Sequence, residues 1–149
     1  MSDDDFDLWD DEDEDEEAPP EPVFGTVEEF VVDYLAPMVA RRLNGVTLTW
    51  CPDWWLHAEA ISRLNAMWRA WESLRLDPAL GMSTWWIHHA DPQLHVLLDP
   101  DSGPFSACSP VEGHSEHPPQ PLPTNPADPR MWLGTAFSTT AAAERIPED

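Results

Sequence analysis

The chain has 149 residues, with 29 acidic side chains against seven basic ones and a formal net charge of -22. That length predicts a single domain, and the acid excess disfavours generic binding to a nucleic-acid backbone while favouring protein partners with a basic surface. The start carries no basic n-region with an apolar stretch behind it, and no run nears the roughly 18 apolar residues of a membrane span, so a cytoplasmic protein without membrane contact is expected.

The charge is lopsided. Residues 1–22 hold 13 of the 29 acidic residues and no basic one, which leaves 16 acidic residues against seven arginines for the rest. So polar a segment cannot bury enough apolar surface to fold alone, and it is expected to be a disordered acidic tail. Phe6, Leu8 and Trp9 sit inside it, however, and make it an acidic-hydrophobic segment able to fold onto a partner. Pro19, Pro20 and Pro22 then mark the boundary of the folded part.

From Thr26 the pattern turns helical. Thr26 stands three residues before Glu29, the capping-box spacing, with Val23 or Phe24 as a staple. Val27, Phe30, Val31, Tyr34, Leu35, Met38, Val39 and Leu43 recur at helical spacing, and Pro37 predicts a kink or split near Ala36. Asn44-Gly45 is a stop signal, and Val46–Trp50 alternates enough for a short extended link. The stretch from Pro52 to about Leu76 predicts one long amphipathic helix. Its apolar stripe is Trp54, His57, Ile61, Leu64, Trp68 and Trp71, widened by Ala60, Met67 and Leu74, with Glu59, Arg63, Arg69 and Glu72 on the other side.

Asp77-Pro78 and Gly81 end that helix, and Ser83 can cap a shorter third one over TWWIHHA. Asp91-Pro92 is expected to break it and to start a last turn or two through QLHVLL. Residues 99–104 form a turn cluster, followed by a loop bearing His114 and His117. From Pro110 onward eight prolines fall in 40 residues, which predicts a mostly disordered or extended tail with a local contact at Met131-Trp132-Leu133. The expected fold is therefore all-α. It comprises a three- to four-helix domain over residues 23–110 built around the long helix, flanked by a disordered acidic tail (1–22) and a Pro-rich tail (111–149).

The candidate chemistry is a doubled spacing. Cys51 precedes His57 by six residues, and Cys108 precedes His114 by six. Thiolate and imidazole are the ligands tetrahedral zinc prefers, so Cys51, His57, Cys108 and His114 form a candidate structural zinc site, with His89 or His117 as alternates. A metal staple suits a domain with so thin a core. The competing reading makes the two cysteines small buried hydrophobes, without a disulfide in a reducing compartment, and the histidines satisfied polar groups. His88, His89, Asp91 and His95 cluster near the third helix as an acid–base set, and Cys51 with His57 or His89 makes a thiol pair. No nucleophile turn, phosphate loop or HExxH accompanies them, so no catalytic residue is assigned. The tryptophans read mostly as core filling. Trp55 and one of Trp85 or Trp86, taken as Trp86, are the expected surface members of a protein-binding patch, together with Phe6, Leu8 and Trp9 of the arm.

The segments WCPDWW, RLNAMWRAWE and GMSTWW…HADP, within about Phe24–Cys108, resemble an actinobacterial domain of unknown function, the 4913 family. That resemblance implies a cytoplasmic accessory protein of plasmids, integrative elements or phages, encoded near conjugation or DNA-transfer genes. It implies no activity, and its matching polar positions Cys51, His57, His89, Asp91 and Cys108 overlap the candidate set. The expected function is a non-enzymatic binding module acting through protein–protein contacts. The alternatives are an acidic DNA mimic or nuclease antagonist and, behind it, a small Cys/His enzyme.

Overall fold

The computed structural model describes residues 17–145, so Phe6, Leu8 and Trp9 lie outside the described residues. The chain divides into two units, Met1–His117 and Pro118–Asp149. Among the described residues the secondary structure is all-α, with four helical runs and one isolated bridge. No helix there is long and apolar enough to cross a membrane.

Helix α1 (residues 27–38) consists of the contiguous segments Val27–Glu29, Phe30–Leu35 and Ala36–Met38. Thr26 caps it by accepting the Glu29 N–H at 3.1 Å, and the Glu29 carboxylate accepts from Gly25 N at 2.7 Å, one residue earlier than a capping box requires. Pro37 does not split the run, which stays helical on both sides of it. The middle segment is π-wound, and the Ala36 N–H bonds Val31 O, five residues back. A proline lacks an N–H and presses on the carbonyl four residues back; the wider turn just before it absorbs both defects. The helix ends at Met38 instead of reaching Leu43, because Val39 leaves helical geometry at φ -101°, ψ 58°.

The expected long helix is shorter at both ends. A 3-10 turn, Trp54–Leu56, is followed by His57 in extended geometry, and α2 then runs Ala58–Leu74. Its buried face is Ala60, Leu64, Met67, Trp68 and Trp71, while Ile61 is exposed. Glu72, expected on the solvent side, is instead an anchor. Its carboxylate accepts the N–H groups of Val23 and Phe24 (2.9 and 3.2 Å), the Trp68 indole N–H (3.2 Å) and Arg75 Nε (3.0 Å). The entering chain is thereby tied to α2, and Phe24 joins Phe30, Tyr34 and Trp71 in one aromatic cluster.

Helix α3 (residues 81–97) comprises Gly81–Trp85, Trp86–Ala90 and Asp91–Leu97. Asp91-Pro92 does not break it, for the reason given for Pro37: Asp91 N–H reaches Trp86 O across a π-wound segment. The start is Gly81 and not a Ser83 cap, with the Asp77 carboxylate accepting from Ala79 N and Leu80 N ahead of it. Gly81 is required by proximity, since a Cβ there would lie 1.8 Å from the Leu74 carbonyl oxygen. Trp85 is fully buried and donates its indole N–H to Met67 O of α2 at 2.9 Å. Arg63 of α2 reaches Gln93 of α3 at 2.7 Å.

The second unit holds a 3-10 turn, Pro129–Trp132, capped by Asp128, and a helix α4, Thr140–Ala143, capped by Thr139. Trp132 and Phe137 make an edge contact at 6.2 Å, so the expected local contact around Trp132 forms within this unit.

Two outcomes follow from this packing. Gly81→Ala is expected to lower stability by about 3 kcal/mol or more, read from denaturant unfolding, because backbone atoms of α2 have to move. Burial alone raises a carboxyl pKa, yet the N–H donors of Val23 and Phe24, with Arg75 and Trp68, outweigh it at Glu72 and hold that group below its ordinary value of 4.5. Its stabilisation is therefore complete above pH 4.5 and is lost as pH falls through the lower folded value. Glu72→Gln should cost about 1–3 kcal/mol at neutral pH. Thermal melts of the variant should also decline less steeply in acid than those of the wild type.

Candidate metal centre

Extended backbone at His57, φ -107°, ψ 113°, is what turns its ring toward Cys51. Two residues six apart on one continuous helix project in widely different directions. The break between the 3-10 turn and α2 removes that conflict. Cys51 is fully buried, and His57 packs its ring edge-on against the buried Phe105, centroids 4.9 Å apart.

The second pair comes from the loop after α3. Ser109 and Gly113 exchange backbone hydrogen bonds of 3.0 and 2.9 Å, closing a tight turn between Cys108 and His114. Gly113 sits at φ +94°, where a side chain would be strained. The Ser109 hydroxyl accepts from Val111 N and Glu112 N inside the turn. Thr49 holds the loop to the helical core: its N–H donates to Leu98 O at 3.0 Å and its hydroxyl to Cys108 O at 3.3 Å. The Thr49 side chain is buried, so both bonds are shielded from water.

These pieces bring four donor atoms together. Cys51 Sγ lies 3.5 Å from His114 Nδ1, and Cys108 Sγ lies 3.6 Å from His57 Nε2 and 3.7 Å from His114 Nδ1. The two ring nitrogens are 3.0 Å apart. All four donors fall within 4.8 Å of one another, a set that can hold a metal ion. Outer contacts support the sulfurs, as the Ser115 N–H donates to Cys108 Sγ at 3.4 Å and the Asp53 backbone N–H to Cys51.

The electrostatics suit a cation. Burial, reinforced by the adjacent Cys108, pushes the Cys51 thiol up to about 11. Burial and the neighbouring His114 hold His57 below its ordinary range, which keeps its ring neutral, the form that binds metal. Cys51, His57, Cys108 and His114 would hold a divalent ion, which would supply positive charge here and favour the thiolate forms of the two cysteines.

Of the residues singled out in the sequence, Cys51, His57, Cys108 and His114 meet at this point. The alternates do not. His89 is half-buried on α3, and His117 is exposed, with its N–H on the Ser115 hydroxyl at 3.0 Å. His88 is exposed and His95 lies one α3 turn beyond Asp91; no hydrogen bond joins Asp91 to a histidine among the described residues. Trp55 is 53% exposed in the turn between two ligands, whereas Trp86 is half-buried with its ring 4.7 Å from that of Trp85. The sequence reading missed Thr49 and the Ser109–Gly113 closure. The second carried a signal, since Ser-Pro-x-x-Gly is turn chemistry; a threonine in an alternating link carried none.

The chain belongs to the DUF4913 family, a domain of unknown function whose profile matches residues 24–128. That span includes all four converging side chains and extends beyond the Phe24–Cys108 stretch that carries the resemblance. No curated protein and no solved structure matches the chain.

Thr49→Val tests the brace. It leaves Cys108 O without its side-chain donor and should cost about 1–3 kcal/mol in unfolding measurements. Hydrogen exchange of the 108–115 amides should rise more than that of α2.

Proposed function

We propose that this protein is a zinc-stapled binding module, a cytoplasmic accessory protein of actinobacterial mobile elements that acts through protein–protein contacts during conjugation or DNA transfer. The observation that carries the zinc reading is the spacing of the four donors. With Zn–S of about 2.3 Å and Zn–N of about 2.0–2.1 Å, a tetrahedron separates sulfur from nitrogen by about 3.5 Å and two nitrogens by about 3.3 Å. Three of the four sulfur–nitrogen separations, 3.5, 3.6 and 3.7 Å, match that pattern, and the nitrogen–nitrogen separation of 3.0 Å lies close to it.

Four protein ligands complete the tetrahedron and leave no position for a substrate or a reactive water, which favours a structural ion over a catalytic one. The ion joins the segment before α2 to the loop after α3, two stretches more than 50 residues apart. In a unit of this size such a cross-link adds what a thin core cannot.

Two features support the binding role. Trp55 and Leu56, each about half exposed, project from the turn that the staple immobilises between Cys51 and His57. An ordered aromatic in a rigid turn is a low-entropy anchor for a partner. The acidic arm with Phe6, Leu8 and Trp9 offers the second contact, to a basic surface of the partner. The mobile-element setting rests on the family resemblance alone.

The test is metal analysis of protein purified without a histidine tag under reducing conditions. One zinc per chain is expected, and chelator should lower the melting midpoint by about 10 °C or more. Cys108→Ser should lose the metal and reproduce the chelated melt. Absence of metal together with an unchanged melt in chelator would sink the zinc reading.

A further inference from the structure

An apolar cavity of about 120 Å³ lies between the C-terminal half of α1, the link that follows and the end of α3. Val31, Leu35, Trp50, Leu94 and Leu98 line it, and its one charged lining residue among the described residues is Arg41, which is exposed. A dry apolar cavity of about 150 Å³ accepts benzene, so this slightly smaller one suits the apolar end of a single side chain, no larger than a phenyl group. The adjoining cleft, about 400 Å³, shares Arg41 but also carries Asp91 and Asp99. An acidic occupant is thereby directed to the arginine side.

The arginines of the helical unit are not equivalent. Arg63 and Arg75 pair with Glu59 and Glu72, and Arg69 lies over the Trp68 ring at 4.2 Å. Arg41 and its neighbour Arg42 are both exposed, and among the described residues neither pairs with a carboxylate. An apolar slot edged by one such cation, with a second beside it in the chain, calls for a ligand that is at once apolar and acidic. One stretch of this chain has that composition: Asp5-Phe6-Asp7-Leu8-Trp9-Asp10.

We propose that the cavity is the docking site of the chain's own acidic arm. One of Phe6, Leu8 and Trp9 fills it, and the carboxylates of Asp5, Asp7 and Asp10 lie against Arg41 and Arg42. The tether permits this. Thirteen residues lie between Trp9 and Val23, and the fourteen Cα steps span up to about 46 Å when extended, whereas α1 is only about 18 Å long. A tethered segment is present at millimolar effective concentration, so a weak contact suffices in cis. The arm then shields the arginine pair, and a partner's basic surface has to compete for it. This inference stands on the cavity and the arginines and is independent of the metal centre.

The experiment compares methyl NMR spectra of the full chain and of a chain lacking residues 1–16. The Val31, Leu35, Leu94 and Leu98 methyl resonances are expected to shift on deletion. A synthetic peptide of residues 1–16 should restore their full-chain positions, with added salt weakening the effect. In the full chain, Phe6→Ala/Leu8→Ala/Trp9→Ala should reproduce the deletion spectrum. Arg41→Glu/Arg42→Glu should weaken binding of the added peptide by about tenfold. These two arginines are exposed, and far-ultraviolet circular dichroism checks that the double variant remains folded. Identical cavity resonances with and without residues 1–16 would overturn the proposal. Shifts that vanish on dilution would overturn it too, by assigning the arm to a second copy.

Discussion

Extended backbone at His57 is the constraint on which the geometry of the helical unit depends. Had the helix begun near Pro52, as the apolar spacing suggests, Cys51 and His57 would project apart and the turn bearing Trp55 would be an ordinary helical face. Ending the 3-10 turn at Leu56 and restarting helix at Ala58 costs the intervening backbone its helical hydrogen bonds. In return Cys51, His57, Cys108 and His114 converge, and Phe105 packs between Trp50 and the imidazole. A helix interruption of this kind persists only where tertiary contacts outweigh the hydrogen bonds it gives up.

Around that junction the unit divides its binding forces. Toward the start of α1 the cohesion is aromatic: Phe24, Phe30, Tyr34 and Trp71 pack with Trp85 behind them, and the Glu72 carboxylate fastens the entering chain. Toward the loop end Phe105 packs against Trp50, and polar links are added to that packing, with Thr49 bridging Leu98 and Cys108. A metal held by the four donors would add to those links and fix a proline- and glycine-containing loop. Hydrophobic burial is non-directional, whereas coordination fixes four side chains at once.

The two π-wound segments show the same economy. Each sits just ahead of a proline, and in each the residue before the proline donates to a carbonyl five residues back. The helices therefore continue through positions at which local rules predict an end. In α3 this continuity carries Leu94 and Leu97 onto the core from the same run that buries Trp85. Widened turns are local distortions that packing on both sides sustains.

The sequence by itself determined what acts over a few residues. Helical class follows from apolar spacing, the α1 start from Thr26, the uneven charge from composition, and the ligand types from the paired Cys-x5-His spacings. Those features are short-range, so they can be read wherever they occur. The span of α2, the passage of α1 and α3 through their prolines, and the placing of Ile61 outside and Glu72 inside were decided only by tertiary structure. So was the choice of His114 over His89 or His117. Each depends on which surface comes to lie opposite: the incoming chain at Val23 and Phe24 for Glu72, the Ser109–Gly113 turn for His114. Distance in the chain carries no information about that approach, because it is the burial of the whole core that sets which remote groups meet.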